Sequence, residues 1–200
     1  MGREIEIKIP LSDVQYDSIF SFINCKADFD GILRADKVSP LIIKQDEYYS
    51  RYDSREERIA AGEPQVIRIR TDDNGKEKSS YFTIKHKSRQ NGIEFNKEDE
   101  TFVEDADVIR EMMEVAGYKC WFKKVKKAYG IYCNFTKLAG VDFHLELETV
   151  NQYKYVEIEV TQEEGDPEKI RSALNDFVAA LGLDPTKRDV RSWVEILAAD

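Results

Sequence analysis

The sequence has few residues of the kinds that bind zinc or form disulfides. It holds two histidines, His86 and His144, and three cysteines, Cys25, Cys120 and Cys133, none of them at a spacing typical of metal ligands. This pattern excludes a clustered Cys–His zinc site. The cysteines are odd in number and far apart, so we predict that they are reduced thiols buried in the protein.

Long apolar runs and a net positive charge are also missing. No run approaches the roughly 18 residues that a membrane-spanning helix needs, and the first residues lack the pattern of a secretory signal. The net charge is −9, which argues against nucleic acid or anionic membranes as partners. We therefore expect a cytoplasmic protein whose 200 residues form a single domain over positions 1–200.

Charged residues are abundant. They make up 34% of the sequence, and in several segments they alternate with apolar residues. Residues 4–8 are EIEIK, so two glutamates and a lysine share one face of a strand. The alternation returns in RIR at 68–70, TIKHK at 83–87, ELE at 146–148 and EIE at 157–159. One such strand is usually a solvated face, but several predict charged faces that meet around a polar cavity.

The remaining patterns place these strands in an antiparallel sheet flanked by helices. After the first strand, strands are predicted at 41–52, 66–71, 80–87, 93–103, 120–132, 142–149 and 153–161. Helices are predicted at 12–24, 105–117, 166–182 and 188–197, and 53–64 is predicted to be a loop or a short helix. We predict an α+β fold: an eight-stranded antiparallel β-barrel that forms a tunnel with a charged lumen and helices packed outside.

The charges that would face this lumen fall into two sets of opposite sign. The acidic set is Glu4, Glu6, Glu98, Glu100, Glu146, Glu148, Glu157 and Glu159. The basic set is Lys8, Arg68, Arg70, Lys85, Lys87, Lys124 and Lys126. Clustered carboxylates suit a hard cation such as Mg²⁺ or Mn²⁺, and clustered Lys and Arg suit phosphate oxygens. Both sets in one lumen predict a metal-chelated polyphosphate as the ligand.

The order of these motifs resembles that of the CYTH superfamily, also called the triphosphate tunnel metalloenzymes. Residues 4–8 are similar to its N-terminal Glu-x-Glu-x-Lys signature, and the resemblance extends over nearly the whole chain. Similar segments are QDEYY at 45–49, RIR at 68–70, TIK at 83–85, EDE at 98–100, KVK at 124–126, EIE at 157–159 and SWVEIL at 192–197. In this chain Lys126 stands where the family more often has arginine.

The resemblance implies roles for individual residues. It implies an eight-stranded antiparallel tunnel in which Glu4, Glu6 and Lys8 take part in catalysis. Metal binding would fall to Glu4 and Glu6 together with Glu157, Glu159 and one of Glu146 or Glu148, with Glu98 and Glu100 as further candidates. The triphosphate would be held by Lys8, Arg68, Arg70, Lys85 and Lys126, with Lys87 and Lys124 as further candidates.

Three functions remain open at this point. The first is a Mg²⁺- or Mn²⁺-dependent hydrolase of tripolyphosphate, a nucleoside triphosphate or thiamine triphosphate. The second is a class IV adenylyl cyclase, suggested by His144-Leu145-Glu146 and the C-terminal Ser192-Trp193 pair. The third is a non-catalytic polyphosphate- or nucleotide-binding module, for which the acidic set is larger than needed. In each case the expected partner is a small-molecule triphosphate, and the oligomeric state stays open, with a homodimer as one alternative.

Overall fold

The structure is a computed structural model that describes residues 2–35, 40–63, 65–90, 93–138, 141–161 and 167–198. Within these ranges the side chains of residues 2–4, 87–90, 93–95, 161 and 167 are not described. The strands are β1 Gly2–Pro10, β2 Ile32–Arg34, β3 Ile42–Ser50, β4 Val66–Asp73, β5 Lys78–Gln90, β6 Ile93–Val103, β7 Lys119–Phe135, β8 Asp142–Val150 and β9 Tyr153–Thr161. The α-helices are α1 Asp13–Ile23, α2 Arg55–Ala60, α3 Ala106–Val115, α4 Pro167–Ala180 and α5 Trp193–Leu197, with a 3₁₀ turn at Pro185–Lys187.

Eight of the strands form a ring of antiparallel pairs. The order around the ring is β7-β3-β4-β5-β6-β1-β9-β8, and β8 pairs back onto β7. The long strand β7 makes this closure possible, because Lys119–Ala128 pairs with β3 and Lys127–Asn134 pairs with β8. The predicted α+β architecture with an eight-stranded barrel-like tunnel is therefore confirmed. The three-residue strand β2, which the sequence analysis missed, extends the sheet beside the end of β7.

The apolar face of the barrel lies under α1 and α4. Ile5, Ile7 and Ile9 are each 2% exposed and belong to one hydrophobic core with residues of β7, β8, β9 and the two helices. In this core the rings of Phe143 and Phe177 stack with centroids 4.3 Å apart. Complete burial of each large apolar side chain contributes about 1.5–3 kcal/mol. This packing fixes the barrel wall whose opposite face carries the alternating charges.

Helix ends follow local sequence signals at both ends of the chain. Ser12 and Gln15 form the predicted capping box of α1. The predicted helix at 188–197 is shorter in the structure, because a second capping box between Ser192 and Glu195 begins α5 only at Trp193. Before it, the Asp189 carboxylate accepts a hydrogen bond from the Arg191 backbone N–H, which holds this segment outside a helix.

Among the described residues, no helix is both long enough and apolar enough to cross a bilayer.

The cysteine prediction is wrong for two of the three residues. Cys133 on β7 is buried in the core as predicted. Cys25 and Cys120 are exposed. Cys25 follows the end of α1 with a left-handed φ of 59°, which turns the chain out of the helix. Its position at a helix end therefore decides its exposure, whereas Cys133 follows the alternation of a core strand.

Candidate functional site

The lumen contains a cavity of about 340 Å³. Glu6 of β1 reaches this cavity because it alternates with the buried isoleucines of the outer face. The same alternation brings charged residues from four further barrel strands to the lining. They are Arg68 and Arg70 of β4, Lys85 of β5, Lys124 and Lys126 of β7, and Glu157 of β9. One chamber therefore contains charges of both signs, which is the arrangement that the alternating motifs predicted.

Three carboxylates meet on the β8–β9 wall. One oxygen each of Glu146, Glu148 and Glu157 lies within 4.8 Å of the others, because the β8–β9 register sets Glu146 opposite Glu157. The Lys126 ammonium lies among them, with Nζ 2.5 Å from Glu146, 2.6 Å from Glu148 and 3.4 Å from Glu157. Lys44 forms a second ion pair with Glu146. We call Glu146, Glu148 and Glu157 the carboxylate triad.

The triad divides into members of different acidity. Burial raises the pKa of Glu148 to about 8, and the negative charge of Glu157 adds to the rise. Burial acts in the same direction on Glu146 and Glu157, but nearby ammonium groups together outweigh it. Lys126 and Lys44 hold the pKa of Glu146 below the usual range, and Lys126, Lys8 and Lys124 do the same for Glu157. Neither oxygen of Glu148 accepts a hydrogen bond from the described residues, despite the short distance to Lys126. The triad thus places carboxylate oxygens around one positive charge, the Lys126 ammonium.

A second buried charge cluster lies between β3, β4 and β7. Asp46 is 1% exposed and accepts hydrogen bonds from Arg70 Nε at 2.6 Å and Nη2 at 3.0 Å. Lys124 Nζ lies 3.1 Å from the same carboxylate. Burial alone would raise the pKa of Asp46, but Arg70 and Lys124 hold it well below the usual value. Asp46 was part of the QDEYY motif but was not predicted as a site residue; its role is to orient two cavity-lining cations.

The wall formed by β4, β5 and β6 carries a third charge network. Arg68 Nη2 donates to Glu100 at 3.3 Å and lies 3.9 Å from Glu98. Lys85 forms ion pairs with Glu98 and, at 3.6 Å, with Glu6. The Thr83 hydroxyl also donates to Glu100 at 2.7 Å. Glu98 and Glu100 therefore contact the basic wall and are not members of the carboxylate triad.

Solved structures show the same fold over almost the whole chain. A protein from Pyrococcus horikoshii has a TM-score of 0.70 at 22% identity, covering 98% of both chains. A proposed adenylate cyclase from Vibrio parahaemolyticus has a TM-score of 0.66 at 16% identity, covering 98% of this chain and 97% of the other. A Hippeastrum protein described as a proposed adenylyl cyclase with a dominant triphosphatase activity has a TM-score of 0.58 at 15% identity, covering 100% and 96%. The chain has the same fold as these proteins. No family model and no curated protein matches the sequence.

Two further residues predicted from the CYTH resemblance, Lys8 and Glu159, lie outside the lining of this cavity. Lys8 Nζ donates to the Arg191 carbonyl at 2.5 Å. Glu159 is half-buried, with an oxygen 3.8 Å from His144 Nδ1. The side chains of Glu4 and Lys87 lie outside the described residues, although the backbone of Glu4 pairs with Asn96 and Thr161. The metal, phosphate and catalytic roles of all these residues stay predictions.

One mouth of the barrel is lined by Arg55, Arg58 and Trp121, which the sequence analysis missed, and by Trp193, which it named in the SWVEIL segment. Helix α2 contributes Arg55, which forms an ion pair with Glu195 of α5 at 3.1 Å. It also contributes the buried Arg58, which donates to the Gln65 carbonyl. Trp121 of β7 and Trp193 of α5 complete this rim. Residues 53–64 carry no alternating charge pattern, so nothing in the sequence signalled that this short helix contributes to the cavity.

Proposed function

We propose that this protein is a CYTH-type, metal-dependent enzyme that hydrolyses the terminal phosphate of a small-molecule triphosphate. The observation that supports it best is the position of the carboxylate triad next to a wall of buried and half-buried lysines and arginines. A chain of three phosphates with a bound divalent cation is a ligand that needs both kinds of surface. Because buried charges are costly unless paired, a ligand that satisfies both sets accounts for their presence in one lumen.

The carboxylate triad fits a hard divalent cation. Its donors are all carboxylate oxygens, the ligands preferred by Mg²⁺ and Mn²⁺, and one oxygen of each lies within 4.8 Å of the others. Glu146, Glu148 and Glu157 would hold the ion. When bound, the ion would neutralise charge on the phosphate oxygens. Lys126, which now contacts all three carboxylates, is within reach of both the triad and the cavity.

The basic residues would bind the phosphates and stabilise the charge that spreads over them during transfer. Arg70 is held in one orientation by its two hydrogen bonds to Asp46, so its remaining guanidinium donors face a defined direction. Lys85 and Lys124 line the same cavity. Such fixed cations lower the barrier because they need no reorganisation when charge develops. A carboxylate in the lumen would orient the attacking water.

An adenylyl cyclase is the second candidate, because two of the structures with this fold are described as proposed cyclases. The same cations could hold ATP while its 3′-hydroxyl attacks the α-phosphorus. His144 lies on the lumen side of β8, 3.8 Å from a Glu159 oxygen, as expected if β8 contributes to nucleotide binding. The dominant triphosphatase activity of the Hippeastrum protein supports the choice of hydrolysis as the first proposal.

One incubation separates the candidates. Purified protein is mixed with ATP, tripolyphosphate or thiamine triphosphate in the presence of Mg²⁺ or Mn²⁺, and all products are resolved by chromatography. Release of orthophosphate that chelator abolishes is the expected result. Cyclic AMP with pyrophosphate would instead identify a cyclase. Binding of these triphosphates without any product would contradict both the hydrolase and the cyclase hypotheses and would support a non-catalytic binding module.

We expect replacement of Lys85 with methionine to raise KM for the triphosphate about 10-fold, because a charge-assisted contact contributes about 1.5–3 kcal/mol. Methionine keeps most of the side-chain volume and removes only the charge. Lys97→Met is the matched control, since Lys97 lies on the exposed side of β6 with Asp99 at 3.5 Å. Steady-state kinetics on both variants test this; equal KM values would remove Lys85 from the phosphate site.

A further inference from the structure

Helix α3 buries only part of its apolar surface against the barrel. Ile109 and Met113 are half-buried and line a groove between the helix and strands β5 and β6. Val108, Met112 and Val115 are 50%, 61% and 84% exposed. These three residues follow the spacing i, i+4, i+7, so they share one side of the helix. We call them the α3 ridge. Contiguous exposed apolar side chains of this kind are typical of a surface that another protein covers.

Acidic residues of the same helix border the ridge. Glu111 and Glu114 are both exposed. Glu111 lies three residues after Val108 and four before Val115, so it is on the outward side between them. Neither glutamate forms an ion pair with another described residue. The ridge is therefore an apolar surface whose bordering negative charges are left without a partner, which favours a partner that is apolar and basic.

This chain itself carries an apolar and basic surface on strand β7. Lys124 and Lys126 are buried toward the lumen, so the residues that alternate with them point outward. They are Lys123, Val125 and Lys127, which we call the β7 strip. The Lys123 side chain is 68% exposed, Val125 is 55% exposed and Lys127 is also exposed. Lys127 forms no ion pair with another described residue.

The α3 ridge and the β7 strip are neighbours on the outer surface of the barrel. Glu47 of β3 connects them, because it accepts a hydrogen bond from Arg110 Nε of α3 at 2.6 Å and from Lys123 Nζ of β7 at 2.7 Å. Two adjacent patches of opposite charge are complementary to themselves under a two-fold rotation. The rotation brings the first patch of each copy onto the second patch of the other, so the contact forms twice.

From this arrangement we propose that a second copy of this chain docks here, forming a two-fold symmetric dimer in which the α3 ridge of each copy packs on the β7 strip of the other. Val125 is covered by the ridge, and Glu111 and Glu114 face Lys127 and Lys123. The net charge of −9 opposes unspecific association of two copies, so the dimer depends on this local complementarity. The interface lies outside the barrel and is independent of the proposed triphosphate-processing function.

Sedimentation equilibrium of the purified protein tests the dimer without any assay of activity. At about 100 µM we expect twice the mass of one chain, since a contact with Kd near 1 µM is almost fully formed at that concentration. Val115→Lys should raise the dimer Kd at least about 10-fold, because it places a cation in the apolar contact and against the basic strip. Val14→Lys is the matched control. Val14 is 80% exposed on α1, and its substitution should change Kd by no more than about twofold.

Charge reversal tests the proposed pairing of the two patches. Glu111→Lys and Lys127→Glu should each raise Kd at least about fivefold, because each sets like charges against each other in both halves of the dimer. The double variant has the net charge of the wild type and should recover most of the affinity. If general repulsion alone governed association, Glu111→Lys would strengthen the dimer, since it makes the chain less negative.

Three results would overturn the inference. The first is a wild-type protein that stays monomeric at about 100 µM, which would favour a different basic protein as the partner of the ridge. The second is a dimer whose Kd is the same in Val115→Lys and Val14→Lys. The third is a double charge reversal that dissociates as readily as the single variants, because it would show that the α3 acids and the β7 lysines do not face each other.

Discussion

Replacement of Glu157 with glutamine is expected to lower metal-dependent turnover at least about 100-fold. Metal-mediated charge stabilisation contributes several kcal/mol to such reactions, and each 1.36 kcal/mol is a factor of ten in rate. Glutamine preserves the size of the side chain but removes the negative charge from the carboxylate triad. Glu157 also pairs with Lys126 at 3.4 Å, so the substitution leaves one carboxylate fewer to balance that ammonium. Initial rates with Mg²⁺ and with Mn²⁺ measure the effect.

The control for this variant is Glu111→Gln, since Glu111 is exposed on α3 outside the barrel. Its turnover should equal that of the wild type. Electron paramagnetic resonance of Mn²⁺ gives a readout that does not need activity: Glu157→Gln should bind the ion more weakly. A variant that keeps more than about a tenth of the wild-type rate in both metals would show that the triad does not hold the functional cation.

Among the substitutions proposed for this protein, we expect replacement of Asp46 with asparagine to lower the free energy of unfolding the most. Removal of one partner from a buried ion pair typically costs 3–5 kcal/mol, because the remaining charge stays buried without compensation. Here two cations, Arg70 and Lys124, would lose the same carboxylate. We expect the free energy of unfolding, measured with urea, to fall by about this amount. Asp99→Asn, at an exposed carboxylate 3.5 Å from Lys97, should change it by less than about 1 kcal/mol.

The cost of Asp46→Asn should depend on pH in one direction. Arg70 and Lys124 hold the pKa of Asp46 well below its ordinary value of 3.8. A carboxyl group with a lowered folded pKa contributes its stabilisation fully above the unfolded pKa and loses it as the pH falls through the folded pKa. The difference between wild type and variant should therefore be constant at neutral pH and shrink in acid below about pH 4. A difference that grows in acid would contradict the assignment of Asp46 as the ionised partner.

The parts of the fold that depend on alternation could be predicted from the sequence. Charged and apolar residues alternate in β1, β4, β5, β8 and β9 because one face is apolar and the other meets the lumen. This periodicity is local, so it can be read without knowing the neighbouring strands. It correctly predicted the lumen positions of Glu6, Arg70, Lys85 and Glu157. The three residues of β2 are too few to show such a period.

The grouping of charges within the lumen could not be predicted in the same way. Both Glu146 and Glu148 approach Glu157, and Glu98 instead meets Lys85, because strand register decides which side chains are opposite each other. Register depends on turns and on pairings between distant strands, and single-strand patterns do not encode it. The β-bulge at Trp121 could not be predicted for the same reason. It exists only in the pairing of β7 with β3, where Tyr48 is opposite Phe122 and Tyr49 is opposite Cys120.

Closure of the barrel also sets an order of events during folding. Strand β1 pairs with β6 and β9, and its register joins Gly2 to Glu98 and Glu4 to Thr161. Pairings so distant in sequence form slowly, because the loop entropy is lost before the contacts form. During synthesis, β1 must wait until both partner strands have left the ribosome, and until then Ile5, Ile7 and Ile9 cannot complete their core. Strand β1, which carries the EIEIK motif, therefore stays incompletely paired until β9 has been synthesised.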